Sequence, residues 1–246
     1  MNHRTLFFGE GLFETILWRG RTKKLLRHFK RLKNSADFFQ INCPTYEAFC
    51  NLIEEKTKGR NNLYVKFCLF SKGNDIYFSY PEESETFIIV KEYKPDLTPK
   101  RLFISTIKRH SKNPVIYHKT MNYLVNILVK REAISKGFDD AIILNESDEI
   151  TECSSSNILI VKGDSLKTPA RECGLLSGTT LQILLDKSVV KEERIKTEDL
   201  YNASAVFILN SLIGALPVFQ VMDKKYPVDN EILKYLNSLI NQENQP

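Results

Sequence analysis

The sequence predicts an α+β protein built from two α/β domains, and three observations predict it. Strand-like and helix-like segments alternate along 246 residues without clean strand–helix–strand repeats, which disfavours a doubly wound parallel sheet. A polar, proline-containing run without periodicity, RHSKNP at residues 109–114, interrupts the chain near its middle. The length suits one large domain or two small ones, with enough chain to bury a substantial core. The expected division is an N-terminal α/β domain over residues 1–108, an interdomain loop at 109–114 and a C-terminal domain over 115–246.

The elements follow in order. Residues 13–19, FETILWR, are strand-like because Thr15, Ile16 and Trp18 suit a pleated sheet, and Gly20-Arg21 turns the chain. Phe29, Leu32, Ala36 and Phe39 stand at helical spacing within residues 27–39. Pro44 and Thr45 introduce a second helix at 46–56. Residues 62–70 read as a strand, 75–79 and 86–90 as short strands split by PEESE, and 102–107 as the strand closing this half. Beyond the polar run, Thr120 caps a helix whose Met121, Leu124, Val125 and Leu128 share a face and which Gly137 stops. DAIILN at 140–145 is a buried strand, and the 146–149 turn returns the chain through Ile150-Thr151-Glu152. Residues 157–161 and 166–168 pair across Gly163-Asp164. A short helix at 178–186, strands at 204–210 and 218–221 around the loop SLIGALP, and a helix at 232–240 complete the chain.

Composition narrows the function classes. Apolar and charged fractions of 42% and 26% are those of an ordinary globular protein. The net charge of +5 is spread over scattered lysines without an aromatic ladder, which favours an anionic small substrate over nucleic acid. The apolar runs are far shorter than the ~20 residues that span a bilayer, so no membrane is expected. The N-terminus lacks a signal-peptide pattern. Five cysteines, Cys43, Cys50, Cys68, Cys153 and Cys173, are never spaced as CxxC, which predicts free thiols, a cytoplasmic setting and no metal site.

Three features between residues 113 and 182 can carry chemistry. Lys119 sits where an irregular segment gives way to a helix, between the apolar neighbours Tyr117, Met121 and Tyr123 and beside His118. A lysine becomes a nucleophile when its ammonium is destabilised by desolvation or neighbouring positive charge. Glu152 ends a strand and is followed by CSSS, small residues that let another group approach; a carboxylate there suits a protonated heterocyclic nitrogen. Gly178-Thr179-Thr180 opens a helix, where unsatisfied N–H groups and hydroxyls bind a phosphate, and Asn210-Ser211 at a strand end offers similar donors. Each feature alone also fits an ordinary surface lysine, a strand-end glutamate or a capped helix. Together they are the parts for pyridoxal phosphate: an amine for the aldehyde, an acid for the ring nitrogen and a helix terminus for the phosphate.

At these residues the chain resembles the fold-type IV pyridoxal-phosphate enzymes, the D-amino-acid aminotransferase-like group that includes branched-chain aminotransferase and aminodeoxychorismate lyase. FGEGLFET (8–15), HFKRL (28–32), HKTMNYL (118–124), ITECSSSNIL (150–159) and LLSGTT (175–180) stand in that family's order. The resemblance implies a cofactor held between the two domains and a homodimer. It implies that Lys119 bonds the pyridoxal 5'-phosphate aldehyde and that Glu152 pairs with the pyridine nitrogen. Arg31, Gly178, Thr179, Thr180 and Ser211 would hold the phosphate, and Tyr123 would meet the ring hydroxyl. Within the family, Thr15 in FET and the run NSLIGALPV (210–218) resemble the lyase, which converts 4-amino-4-deoxychorismate to 4-aminobenzoate and pyruvate. Lys119 would then remove the C4 proton, and Thr15 would relay a proton to the departing enol. Arg109, Lys112 and Asn113 would meet substrate carboxylates by their charge and position. A branched-chain or D-amino-acid aminotransferase is the alternative. The chain departs from the family in beginning seven residues before FGEG and in carrying KGND (72–75) where a Gly/Arg-rich turn is usual.

Overall fold

A computed structural model describes residues 3–245. The chain forms two compact units, one of Met1–Lys94, His118–Asn122 and Glu243–Pro246, the other of Pro95–Tyr117 and Tyr123–Gln242.

The first unit is a three-stranded antiparallel sheet in the order β1 (Gly11–Trp18), β2 (Leu63–Lys72), β3 (Glu83–Glu92). Its helices are α1 (Arg4–Phe8), α2 (Lys23–Phe38) and α3 (Tyr46–Thr57). Alternation along the strands sends Leu12, Ile16 and Trp18 of β1 and Leu63, Val65, Phe67 and Leu69 of β2 into one core with Leu25, Leu32, Phe49 and Ile53 of the helices. Thr22 Oγ1 accepts the Leu25 N–H at 3.2 Å and Thr45 Oγ1 the Ala48 N–H at 3.2 Å, so both long helices start on hydroxyl caps. Phe49 and Phe67 are fully buried with ring centroids 4.6 Å apart, and truncating either to alanine should cost about 3–5 kcal/mol.

The second unit holds a nine-stranded sheet. Its strands are β4 (Lys100–Ile104), β5 (Asp140–Leu144), β6 (Ile150–Cys153), β7 (Asn157–Lys162), β8 (Ser165–Pro169), β9 (Val190–Glu193), β10 (Ala205–Asn210), β11 (Gly214–Val221) and β12 (Lys224–Lys225). They run in the order β6-β5-β4-β11-β10-β7-β8-β9, with β12 on β11. Only β4–β5, β4–β11 and β8–β9 are parallel. Helices α4 (Leu124–Ser135), α5 (Thr179–Asp186), α6 (Thr197–Tyr201) and α7 (Asn230–Gln242) cover it. β5, β7 and β10 are buried over nearly their whole length, which is why their sequences are apolar throughout rather than alternating.

The structure corrects several expectations. Residues 75–79 form no strand. The buried Arg4 guanidinium gathers the carbonyl oxygens of Asn74, Ile76, Tyr77 and Ser79 at 2.8–3.4 Å, and a chain wrapped around that cation cannot extend into a sheet. Thr120 caps no helix: it is buried and bridged to Leu12, and α4 begins only at Leu124. Residues 214–217, expected as loop, belong to β11. α1, α6, β9 and β12 carry no periodic signal long enough to read. The units divide at Lys94/Pro95 and not at 108, because β4 pairs with β5 and β11. Residues 109–114, expected as the crossing, lie inside the second unit, where the Arg109 N–H bonds the Leu144 carbonyl at 3.0 Å.

Candidate active site

In the first unit the chain returns for five residues, His118–Asn122. The Phe13 N–H donates to the Lys119 carbonyl at 3.0 Å and the Met121 N–H to the Gly11 carbonyl at 2.8 Å, on either side of the Leu12–Thr120 bridge. This short antiparallel pairing sets the facing of each side chain. Thr120 turns with Leu12 toward the helices. Lys119 shares the opposite face with Phe13, and its Nζ lies 4.6 Å from the Phe13 ring centroid. Lys66 Nζ stands 4.5 Å from the same ring. Thr15, half-buried, lies two residues along on that face. There burial raises the Tyr64 phenol above its ordinary range, against a hydrogen bond with Thr15 that lowers it.

The other face of β1 carries Glu14, fully buried. Arg31 Nε and Nη2 donate to its two oxygens at 2.8 and 2.6 Å, and His28 Nδ1 lies 2.6 Å from Oε2. Burial alone would raise this carboxyl, but the adjacent Arg31 guanidinium outweighs it and holds Glu14 at about 2. Burial, helped by the nearby Arg31 and Lys24, keeps His28 below its ordinary value. The spacing of three puts His28 and Arg31 on one side of α2, over one residue of β1. Sequence reasoning named Arg31 and missed Glu14 and His28, although both lie in the motifs FGEGLFET and HFKRL.

The second unit holds the other candidates. Glu152 is buried near the end of β6. Arg109 Nη1 donates to its Oε1 at 2.5 Å, and the Asn157 amide and the Leu176 N–H each reach Oε2 at 3.3 Å. Arg109 is thus turned inward onto Glu152, with its Nε buried and without a hydrogen-bond partner among the described residues. Asn157 also donates to the Leu176 carbonyl at 2.9 Å, which ties Glu152 to the loop entering α5. Gly178 is the N-cap of α5 and has no side chain to cap it. A Cβ at Gly178 would stand 2.0 Å from Asn157 Oδ1, so only glycine lets the loop lie this close to β7. Thr179 and Thr180 follow, both buried, and Thr180 Oγ1 has no hydrogen-bond partner among the described residues.

Tyr123 donates its hydroxyl to the Ser154 carbonyl at 3.1 Å. Ser211 lies in the turn from β10 to β11, which Asn210 Oδ1 shapes by accepting the Leu212 and Ile213 N–H groups at 3.0 and 3.1 Å. Lys112 and Asn113 are exposed; Asn113 Oδ1 accepts the Val115 N–H at 3.0 Å and so starts the turn over Pro114–Tyr117. The structure brings Arg109 and Glu152 together, and it sets Gly178, Thr179 and Thr180 at one helix start.

This arrangement fits a phosphorylated heterocycle on three observations. A buried hydroxyl without a partner among the described residues, Thr180 Oγ1, and a glycine that lets the loop lie against Asn157 both stand at a helix N-terminus, where N–H groups and the dipole favour an anion. A buried carboxylate, Glu152, is anchored through Asn157 to the loop that leads there.

Comparison with known proteins agrees with this chemistry. The amino-transferase class IV family matches residues 11–221. A "Putative branched-chain-amino-acid aminotransferase" of Methanocaldococcus jannaschii is 28% identical over 88% of this chain and 80% of its own length. A D-alanine aminotransferase of Listeria monocytogenes is 27% identical over 93% of this chain and 86% of its own. A Legionella pneumophila crystal structure, named "Putative 4-amino-4-deoxychorismate lyase", superposes with a TM-score of 0.90 at 28% identity, covering 99% of this chain and 94% of that one.

Proposed function

Because the chain belongs to the class IV aminotransferase family, whose match spans residues 11–221, we propose that it is a 4-amino-4-deoxychorismate lyase forming 4-aminobenzoate and pyruvate. Its cofactor is pyridoxal 5'-phosphate, which when bound supplies the electron sink for breaking bonds at the amine-bearing carbon. The observation that carries the lyase reading is the pairing of residues 118–122 with β1, which sets Lys119 and Thr15 on one face with Phe13 between them. An elimination needs a base at the ring carbon and a proton donor at the leaving group, and that face holds both. The Legionella likeness supports the same reading.

Each residue has a role in this proposal. The Lys119 amine would hold the cofactor by its aldehyde, and as a free amine it would take the C4 proton of the substrate. The Thr15 hydroxyl hands a proton to the departing enol, so that pyruvate leaves as the ring becomes aromatic. Glu152, held by Arg109 and Asn157, would accept the pyridinium N–H and keep that proton on the ring. Thr180, Thr179, Gly178 and Ser211 would donate to the phosphate together with Arg31, whose guanidinium is aimed by Glu14. Tyr123 meets the ring hydroxyl. Lys112 and Asn113 meet substrate carboxylates, while Arg109 serves the site through Glu152.

The protein also acts as a homodimer in this proposal. α4 exposes Leu124 at 64% and Ile134 at 60%, with Val125, Ile127 and Leu128 also in water, an apolar face suited to a second copy. Its five cysteines are free, as a reducing cytoplasm requires. No helix among the described residues is long and apolar enough to cross a membrane.

Incubation of the cofactor-loaded protein with 4-amino-4-deoxychorismate tests the reaction. Release of 4-aminobenzoate without any keto acid supports the lyase. Turnover that appears only with an amino acid and a keto acid overturns it in favour of an aminotransferase, the reading that the M. jannaschii and Listeria relatives favour.

A further inference from the structure

We propose that His118 is the positioning residue that fixes Lys119 on β1, an inference that rests on the reading of Lys119 as the cofactor lysine. Two backbone hydrogen bonds set the register of residues 118–122 against β1. They do not by themselves stop this short strand from rolling about its own axis, and a roll of that kind sweeps the long Lys119 side chain through an arc. In this register His118 falls opposite Glu14, on the helix side, while Lys119 points the other way.

The imidazole is held from three directions by the end of α2. Its Nδ1 lies 3.0 Å from Ser35 Oγ. Phe38 stacks on it with centroids 4.4 Å apart and planes 26° apart, and Phe39 meets it edge-on at 5.0 Å and 72°. Ser35 and Ala36 are buried, so the helix that carries this clamp is itself seated in the core. The clamp also accounts for Phe38, a large apolar side chain that is 53% exposed and yet packs closely on the histidine ring. Directional contacts on one side of the segment therefore orient the amine on the other. Displacing a reacting group by about 1 Å can cost on the order of 10²-fold in rate.

The test mixes cofactor-free protein with pyridoxal 5'-phosphate and follows the visible band of the lysine–cofactor bond. His118→Ala should slow formation of the band by about 10- to 100-fold. Ser35→Ala, which keeps the stacked ring and is the milder change should His118→Ala not fold, should slow it by a smaller factor. His118→Phe, which keeps the stack, should recover part of the rate. In a Lys119→Ala background, noncovalent affinity for pyridoxal 5'-phosphate should be unchanged by His118→Ala. A wild-type rate in both His118→Ala and Ser35→Ala overturns the inference. So does an equal loss of noncovalent affinity in the Lys119→Ala background, which marks general damage to the unit. If the unaltered protein forms no band, the cofactor reading itself falls and takes this inference with it.

Discussion

Each unit buries a glutamate against an arginine, and the two pairs are built differently. Glu14 has both oxygens taken by charged or ring nitrogens at 2.6–2.8 Å. Glu152 meets Arg109 on one oxygen, and on the other two neutral N–H donors at 3.3 Å. The first carboxylate is closed within the protein, and its work is to aim a cation. On the second, a charged donor arriving at Oε2 would bind more tightly than the two neutral N–H donors at 3.3 Å. The contrast teaches that a buried acid is not in itself a candidate for chemistry; the quality of the bonds it already makes is the better guide.

The largest effect expected from this contrast is on stability. Glu14→Gln removes the carboxylate that the Arg31 guanidinium and the buried His28 share and should cost about 3–5 kcal/mol in chemical denaturation. A pH series sharpens the point. Glu14 is held at about 2, below its ordinary 4.5, and His28 is held below its ordinary 6.5. Both groups therefore contribute stability that is full above those ordinary values and is lost as pH falls through the folded ones. Stability should decline from about pH 6.5 downward, steepening below about 4.5, and Glu14→Gln should flatten the steeper part. An unchanged acid profile in that variant would break the comparison from the Glu14 side.

Next in size is an effect on turnover. Glu152→Gln cannot retain a proton on the ring nitrogen, so kcat should fall by about 100-fold, beside the stability lost where the buried Arg109 gives up its charged partner. A fall in melting temperature as large as that of Glu14→Gln, with kcat unaffected, would reverse the two roles. The smallest effect belongs to Thr180→Val. Its hydroxyl has no partner among the described residues, so the cofactor-free variant should match the parent in stability. Loss of one hydrogen bond to a charged phosphate should weaken cofactor binding by about 10-fold. Equilibrium titration and melting curves, read together, check both halves.

Much of this architecture was legible from period and punctuation. β1 follows from residues suited to a pleated sheet, α2 from helical spacing, α3 from Pro44-Thr45, β5 from its apolar run and β7 from its pairing across Gly163-Asp164. The ordered motifs carried the family, which the match over residues 11–221 shows. What escaped depends on partners far away in sequence. Thr120 looks like a helix cap until β1, more than a hundred residues earlier, pairs with its backbone. Residues 75–79 read as a short strand until a single arginine, Arg4, claims the carbonyls of Ile76, Tyr77 and Ser79. The role of Glu14 requires knowing that α2 lies over β1. The unit boundary has a local signal in the two prolines of PDLTP (95–99), whereas the polar run at 109–114 lies inside the second unit.

The central claim is that the amine at position 119 carries the cofactor, and borohydride tests it most directly. The protein is loaded with pyridoxal 5'-phosphate, reduced to fix any lysine–cofactor bond, digested and analysed by mass spectrometry. The account predicts one stoichiometric label, on the peptide containing Lys119, and none in Lys119→Ala. A label on another lysine at equal yield, or a Lys119→Ala protein that keeps the visible band, contradicts it.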